Sequence, residues 1–419
     1  MPTSYTVPGV YVEEVSTGAR PISAVGTSTA AFLGYVPGLA VTSEAIAVNN
    51  PTEFRSKIVQ QSDYRARDDG KPPPQPTPAL FAAVFGYFAN SGYKAYIVPL
   101  DKNNTLTGGA AGRAGLDLLE TIDDVAIVAA PGLTDAGSYD ALLAHCEKMK
   151  DRVAVLDAPP DVKDITKLTV AATLSLAPKP GDPPPADGGG GLRPRQSPGG
   201  YGAVYYPWIL TRDVMTGETV STPPSGHVSG VYARVDATRG VFKAPANEAV
   251  VGALGLAAPV APQDQGVLNP AGVNCIRSLN EGVLVYGART VAAEASEWRY
   301  VSVRRLFCMI EKSIDRGTRW VVFEPNDEVL WKAIRRDVSA FLTLLWRQGA
   351  LRGATADQAF FVKCDAETNP PEVIDAGQVV IVVGIAPVKP AEFVIFRIGQ
   401  SSTGSSTSEG DGAKSGKAS

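Results

Sequence analysis

The sequence predicts a mixed α/β (α+β) protein, with two folded regions carried between extended strand arms at both ends. Three observations predict it. Apolar strand-like runs alternate with helix-periodic segments, most plainly at 123–160. The region after about residue 266 pairs short strands with two long amphipathic helices. Strand-forming residues also stand at each terminus with no local hairpin partner.

At the N-terminus, SYTVPGVYVEEV (4–15) places Val7, Val10, Tyr11, Val12 and Val15 around a Pro-Gly break. The stretch 1–22 therefore reads as an extended arm. VGTSTAAFLGYVPG (25–38) is strand-like, and the proline-rich 65–78 can be neither helix nor central strand. A helix is expected over 79–92 and a strand over 93–100. Strand 123–132, helix 138–151 and strand 152–160 make a βαβ unit, hence a parallel pair. Residues 176–200 are a Pro/Gly-rich insertion that buries almost nothing, and the strand-like AVYYPWIL (203–210) follows it. A composition change near 258–270 sets the main boundary, giving regions 23–265 and 266–390.

In the second region, strands are expected over 282–290, 297–303, 319–325, 358–365 and 377–387. A helix over 304–317 presents Leu306, Phe307, Ile310 and Ile314 on one face. Another, over 327–347, is capped by Asn326 and buries Leu330, Ile334, Val338, Phe341, Leu342 and Leu345. A terminal strand over 391–398 carries Phe393, Val394, Ile395, Phe396 and Ile398, and the Ser/Gly-rich 401–419 is a tail.

A net charge of −4 argues against a general nucleic-acid binder. The four cysteines, Cys146, Cys275, Cys308 and Cys364, form no CxxC pair, so zinc and a disulfide framework are not expected. The start MPTSYTVPG has neither basic nor apolar signal regions, and the longest apolar runs are too short to span a bilayer. The expectation is assembly in the cytoplasm, with release by lysis or action within the cell, and no membrane insertion.

Catalytic motifs are sparse. His145 and Cys146 are helix neighbours whose side chains diverge, and His227 has no sequence-local acid. GDGAKSGKAS (410–419) departs from a phosphate loop at Asp411 and Ala418, and GGAAGRAG (108–115) lacks the dinucleotide spacing. Asp135 and Asp157 fall near the carboxyl ends of the βαβ strands, where an open sheet binds ligands, but turn and cap duty is the favoured reading. No enzyme activity and no cofactor is expected. Arg304, Arg305, Lys312, Arg316 and Arg319 in one helix, and Lys332, Arg335, Arg336 and Arg347 in the next, make a locally basic pair in an acidic chain.

The segment PPSGHVSGVYARVDATRGVFKAPANE (223–248) resembles the most characteristic part of tail sheath proteins of contractile phage tails and injection systems. PGVYVEEV, ARPISAVGTSTAAFLG (19–34), NPAGVNCIRSL (269–279), residues 316–365 and IVVGIAPVKPAEFVIFRIGQ (381–400) are similar to the same family. The resemblance implies an outer domain over 23–265, an inner C-terminal domain over 266–390, and strand arms that add to neighbouring copies. It implies a helical homo-oligomer around an inner tube, with baseplate and terminator or cap proteins as further partners, and sheath paralogues in some systems. On this reading Lys332, Arg335, Arg336 and Arg347 touch an acidic tube. A capsid-like or surface-layer protein, or an α/β enzyme, are the alternatives.

Overall fold

A computed structural model describes residues 21–64, 76–108, 113–173 and 190–393. In chain order the strands and helices begin with β1 (Ala30–Tyr35), β2 (Ile46–Val48), α1 (Pro51–Lys57), α2 (Ala79–Ala89), β3 (Ala95–Leu100) and β4 (Ile127–Ala129). Next come α3 (Ala136–Met149), β5 (Val153–Asp157), β6 (Gly202–Tyr206), β7 (Ile209–Arg212), β8 (Thr219–Thr222) and α4 (Ser225–Arg239). β9 (Glu248–Ala249), β10 (Gly255–Leu256), α5 (Pro262–Leu268), β11 (Val273–Leu279) and β12 (Gly282–Val285) follow. The last are α6 (Val301–Thr318), α7 (Glu328–Arg347), α8 (Ala356–Ala359), β13 (Phe360–Lys363), α9 (Pro371–Asp375) and β14 (Val382–Ile385).

Among the described residues, nine strands form one mixed sheet in the order β2-β3-β1-β4-β5-β6-β11-β12-β9. Its centre, from β3 to β11, is parallel, and β2, β12 and β9 add antiparallel edges. The expected β4-α3-β5 unit is present, with Ile127 opposite Val153. Central strands such as AAFLGY and VAVLD are buried almost throughout, as parallel strands covered on both faces must be. β11 and β12 belong to this sheet, so the boundary expected near 265 falls inside a continuous ladder. The second apolar core gathers around α6 and α7 instead, with Leu306, Ile310, Trp331, Ile334, Val338 and Leu342 at its centre. Ile22 is part of that core, and Gly317 lets it approach α6 closely.

The segment 223–248 has a packing reason for its composition. In α4, a Cβ at Gly226 would fall 2.3 Å from Ala83, and one at Gly230 would fall 2.5 Å from the Tyr87 carbonyl, so α4 lies against α2 at near backbone contact. His227 is buried over Gly86. Asp157, at the end of β5, caps α4: its carboxylate accepts from the Ser225 amide (2.7 Å), the Ser225 hydroxyl (2.7 Å) and the Gly132 amide (3.0 Å). Burial pushes Asp157 up to about 6 despite these donors, and it pushes His227 and His145 down to about 4.

Two expected strands are not formed. Residues 297–303 run into α6, which starts at Val301 because a helix puts Val301, Arg305 and Cys308 against the sheet in one row. Residues 319–325 make a single 3₁₀ turn, Arg319–Val321, and then a loop in which Phe323 has φ 70° and Pro325 lacks an amide proton. Asp327, not Asn326, caps α7, accepting from the Leu330 amide at 2.9 Å. Asn326 instead donates to the Gln378 carbonyl and accepts from the Trp331 indole. The expected buried stripe of α7, from Leu330 to Leu345, is buried throughout.

The basic residues of α6 are turned inward. Arg305 makes a two-pronged pair with Asp236 of α4 at 2.9 and 2.5 Å, lies over the Tyr232 ring at 4.6 Å, and reaches the Thr27 carbonyl at 2.9 Å. Lys312 pairs with Asp151 at 2.6 Å and Arg316 with Asp123 at 2.7 Å. Arg304 stacks on Trp298 and Tyr201 at 4.3 and 4.6 Å. Of the row expected as a positive surface, Arg319 alone stays well exposed, beside Asp315, and Arg305, Lys312 and Arg316 form the seam that fastens α6 to α4 and to the loops leading into β4 and β5.

Asp236→Ala is expected to cost about 3–5 kcal/mol by stranding the buried Arg305, whereas Arg305→Met/Asp236→Leu together lose less. Urea unfolding distinguishes them, and an Asp236→Ala loss below about 1 kcal/mol would remove the seam from this account. Stability is also expected to fall with acidification. His145 and His227 have folded pKa values depressed below the unfolded value, so the stability they contribute is present above about 6.5 and is lost as pH falls toward 4. Asp157, raised, works the other way below about 6 but is outnumbered. From pH 7 to 5.5 the net loss is about 2 kcal/mol, and His145→Gln should remove most of it, because Asp157 offsets much of what His227 alone loses. A urea midpoint that is unchanged or rises over this range contradicts the assignment.

Candidate inter-subunit interface

The crevice at the carboxyl ends of the sheet is filled by the chain itself. Asp157 is occupied by the start of α4, the Tyr139 hydroxyl donates to the Asp157 carbonyl (2.7 Å), and the Trp208 indole donates to the Ala158 carbonyl (2.7 Å). Asp135 caps α3 through the Ser138 amide (2.9 Å). His145 and His227 are buried, and the Cys146, Cys275 and Cys308 thiols are pushed up by burial. A cavity lined by Val25, Thr27, Asp151, Arg305 and Lys312 measures about 10 Å³, room for one water at most. Among the described residues no group of three or more metal-ligating side chains is assembled.

The exposed feature that calls for a partner is a sheet of two strands. β13 and β14 run antiparallel, with Phe360 opposite Ile385, Phe361 opposite Gly384, Val362 opposite Val383 and Lys363 opposite Val382. Phe360, Val362, Val383 and Ile385 pack their side chains toward the α6–α7 core. On the other face the Phe361 ring lies over Gly384, where a Cβ would come within 2.1 Å of it, and Phe361 and Val382 stay exposed. The Ala386 amide donates to the Ala359 carbonyl (2.8 Å), which makes Phe360–Ile385 a non-hydrogen-bonded pair. The ladder bonds therefore run between Phe361 and Gly384 and between Lys363 and Val382. The amides and carbonyls of Val362 on one side, and of Val383 and Ile385 on the other, point away from the pair. Among the described residues no third strand meets either edge.

The sequence-predicted arm residues stand outside this picture. Val7, Val10, Tyr11, Val12, Val15, Val394, Ile395, Phe396 and Ile398 lie outside the described residues. Phe393 is the last described residue, in a short terminal unit that begins at Pro390, and it is not in a strand.

Of the four cationic residues expected to act together on α7, three share its exposed face. Lys332 is exposed and pairs with Glu328 at 2.9 Å, Arg336 is exposed and reaches Asp337 at 2.9 Å, and Arg347 is exposed in the last turn. Arg335 turns away, half-buried, toward the Cys364 carbonyl at 3.5 Å. Sequence reasoning passed over the open β13–β14 edges themselves. The signal for them was two strands, expected over 358–365 and 377–387, whose connection is too long for a hairpin turn.

Comparison with known proteins gives this geometry its setting. Residues 108–291 match the phage tail sheath protein central domain, and residues 293–401 match the phage tail sheath C-terminal domain. The PVC sheath complex of an extracellular contractile injection system, in its contracted state, is 32% identical, covering 96% of this chain and 99% of that one with a TM-score of 0.72. A chain of the anti-feeding prophage baseplate is 30% identical over 95% of this chain and all of that one, with a TM-score of 0.70. The tail sheath protein of Vibrio phage KVP40 is 27% identical over 185 residues, and that of Salmonella phage ViI is 27% identical over 273. These stretches cover 43% and 61% of this chain but only 27% and 40% of those larger relatives. The break between the two matched domains, at 291–293, coincides with the passage from the nine-stranded sheet to the α6–α7 core. On these matches, and on a fold shared with solved sheath subunits over nearly its whole length, the chain belongs to the phage tail sheath protein family.

Proposed function

We propose that the chain is the sleeve subunit of a contractile particle. It polymerises helically around an inner tube, is held on a baseplate in a long metastable form, and shortens to drive the tube through a target envelope. The observation that carries this reading is the two-stranded β13–β14 sheet, both edges of which are open among the described residues, in a chain whose ends carry strand-forming segments without local hairpin partners. A two-stranded sheet is marginal, and an open edge is a template for strand addition. In the proposed sleeve, residues around 7–15 of one copy and 393–398 of another add to those edges. Main-chain ladders then hold neighbours together, while connections near 16–22 and 386–390 absorb the rotation of rigid subunits.

Such a mesh stores work without a nucleotide. A difference of a few kcal/mol per subunit between extended and contracted packing is ordinary for a bistable interface, and it sums over the copies of a sleeve. Lys332, Arg336 and Arg347 serve the extended state by facing an acidic tube, with Arg335 bracing the helix from behind. Baseplate and terminator proteins cap the two ends, and assembly takes place in the cytoplasm before release by lysis.

Electron microscopy of the protein expressed alone tests the assembly. The parent is expected to form hollow tubes of uniform width. A chain lacking residues 1–18 is expected to stay folded and soluble without forming long tubes, and long tubes from that variant would end the arm reading. Val362→Pro and Val383→Pro probe the acceptor. Each removes one outward amide and leaves the β13–β14 ladder intact, as proline is tolerated at an edge. Folded subunits that no longer elongate are the expected result, and unchanged tube length from both would show that the edges are not the joint.

A further inference from the structure

The loop between α6 and α7 presents an apolar side chain that none of the described residues covers. Phe323 is fully exposed, at 103% of its reference area, and its backbone has φ 70°, a left-handed conformation rare and costly for a bulky residue. Val322 and Val329 beside it are also exposed. The loop is nevertheless tied down. The Glu324 amide donates to the Val321 carbonyl (3.1 Å), Asn326 to the Gln378 carbonyl (2.8 Å), and the buried Trp331 indole to Asn326 (2.8 Å). A strained phenylalanine held outward by a braced loop is a peg, not a frayed end.

Helix geometry continues the peg into the cationic face. On α7, Val329, Arg336 and Arg347 are spaced by seven and eleven residues, which aligns them to within about 20°, with Lys332 about 40° away. The ridge runs from Phe323 and Val329 to Arg347, acidic at the peg end (Glu324, Asp327, Glu328) and basic toward the other. A second copy presenting this same ridge would set Lys332, Arg336 and Arg347 against their own kind, which like-charge repulsion opposes.

We propose that Phe323, with Val322 and Val329, seats in an apolar socket on the tube that the sleeve encloses, the socket lying at one end of an acidic strip that receives Lys332, Arg336 and Arg347. The charge gradient along the ridge fixes the direction in which it lies on that surface. The apolar peg adds an attachment that salt does not weaken, while the cationic part is screened. This inference rests on the reading of the α7 face given above.

Phe323→Gly is the test, because glycine adopts a positive φ without strain and the variant keeps or gains thermal stability while losing the peg. Co-expressed with tube and baseplate proteins, it is expected to give about tenfold fewer extended particles than the parent, at low and high salt alike. Expressed alone, it should polymerise like the parent. Arg336→Glu/Arg347→Glu runs in parallel and reports on the cationic face separately. Normal yields of extended particles from Phe323→Gly overturn the proposal. Loss of tube-free polymerisation overturns it too, by assigning the peg to another sleeve copy. If only the charge reversals assemble normally, the peg stands and the cationic reading falls. If the parent makes no extended particles around the tube, the sleeve reading and the peg's partner fail together.

Discussion

A backbone amide that leaves water needs a partner, and in β13 and β14 three of the eight strand amides find none among the described residues. Phe361, Gly384, Lys363 and Val382 close the ladder between the two strands; Val362, Val383 and Ile385 aim outward. A solitary protein manages such edges with charge, bulges or covering loops. Here the edge segments are FFVK and VVGI, with Lys363 the one charge, and the exposed face adds Phe361 and Val382. The proposed strand addition would complete this sheet, and the remainder of the fold holds it in place.

That holding is done by α6 and α7. One face of the α6–α7 pair receives β13 and β14 through Phe360, Val362, Val383 and Ile385. The opposite side of α6 is bolted to α4 and to the loops leading into β4 and β5 by Arg305–Asp236, Lys312–Asp151 and Arg316–Asp123. A pull on these strands therefore passes through hydrogen-bonded ion pairs, two of them buried and Arg316–Asp123 at the surface, into a nine-stranded core.

The sequence was most readable where contacts are local. The α7 stripe, the β4-α3-β5 unit and the helix 79–89 follow from periodicity and capping within a few residues. It was least readable where partners are distant. Arg305, Lys312 and Arg316 look like a solvated cationic face until their acids are placed beside them from 69, 161 and 193 positions away. Residues 297–303 and 319–325 have strand-like composition, but the first is absorbed into a helix and the second is broken by Phe323 and Pro325. The expected boundary at 265 tracked a Pro-rich surface segment, while β11 and β12 carry the sheet on to about 285. At the candidate interface, Lys332, Arg336 and Arg347 were legible from helical spacing. Arg335 was not, since a rotation of 100° per residue decides its side and only the β13 neighbourhood shows which way it goes.

Hydrogen exchange resolved to single amides, compared between free subunits and assembled tubes, tests the unfinished-sheet account most directly. The account predicts that Val362, Val383 and Ile385 exchange fast in the free subunit and become strongly protected in the tube. Phe361 and Gly384, already paired across the ladder, should change far less. Equal exchange of the three outward amides in both states would mean that no strand is added there, and the joint between subunits would have to be sought elsewhere.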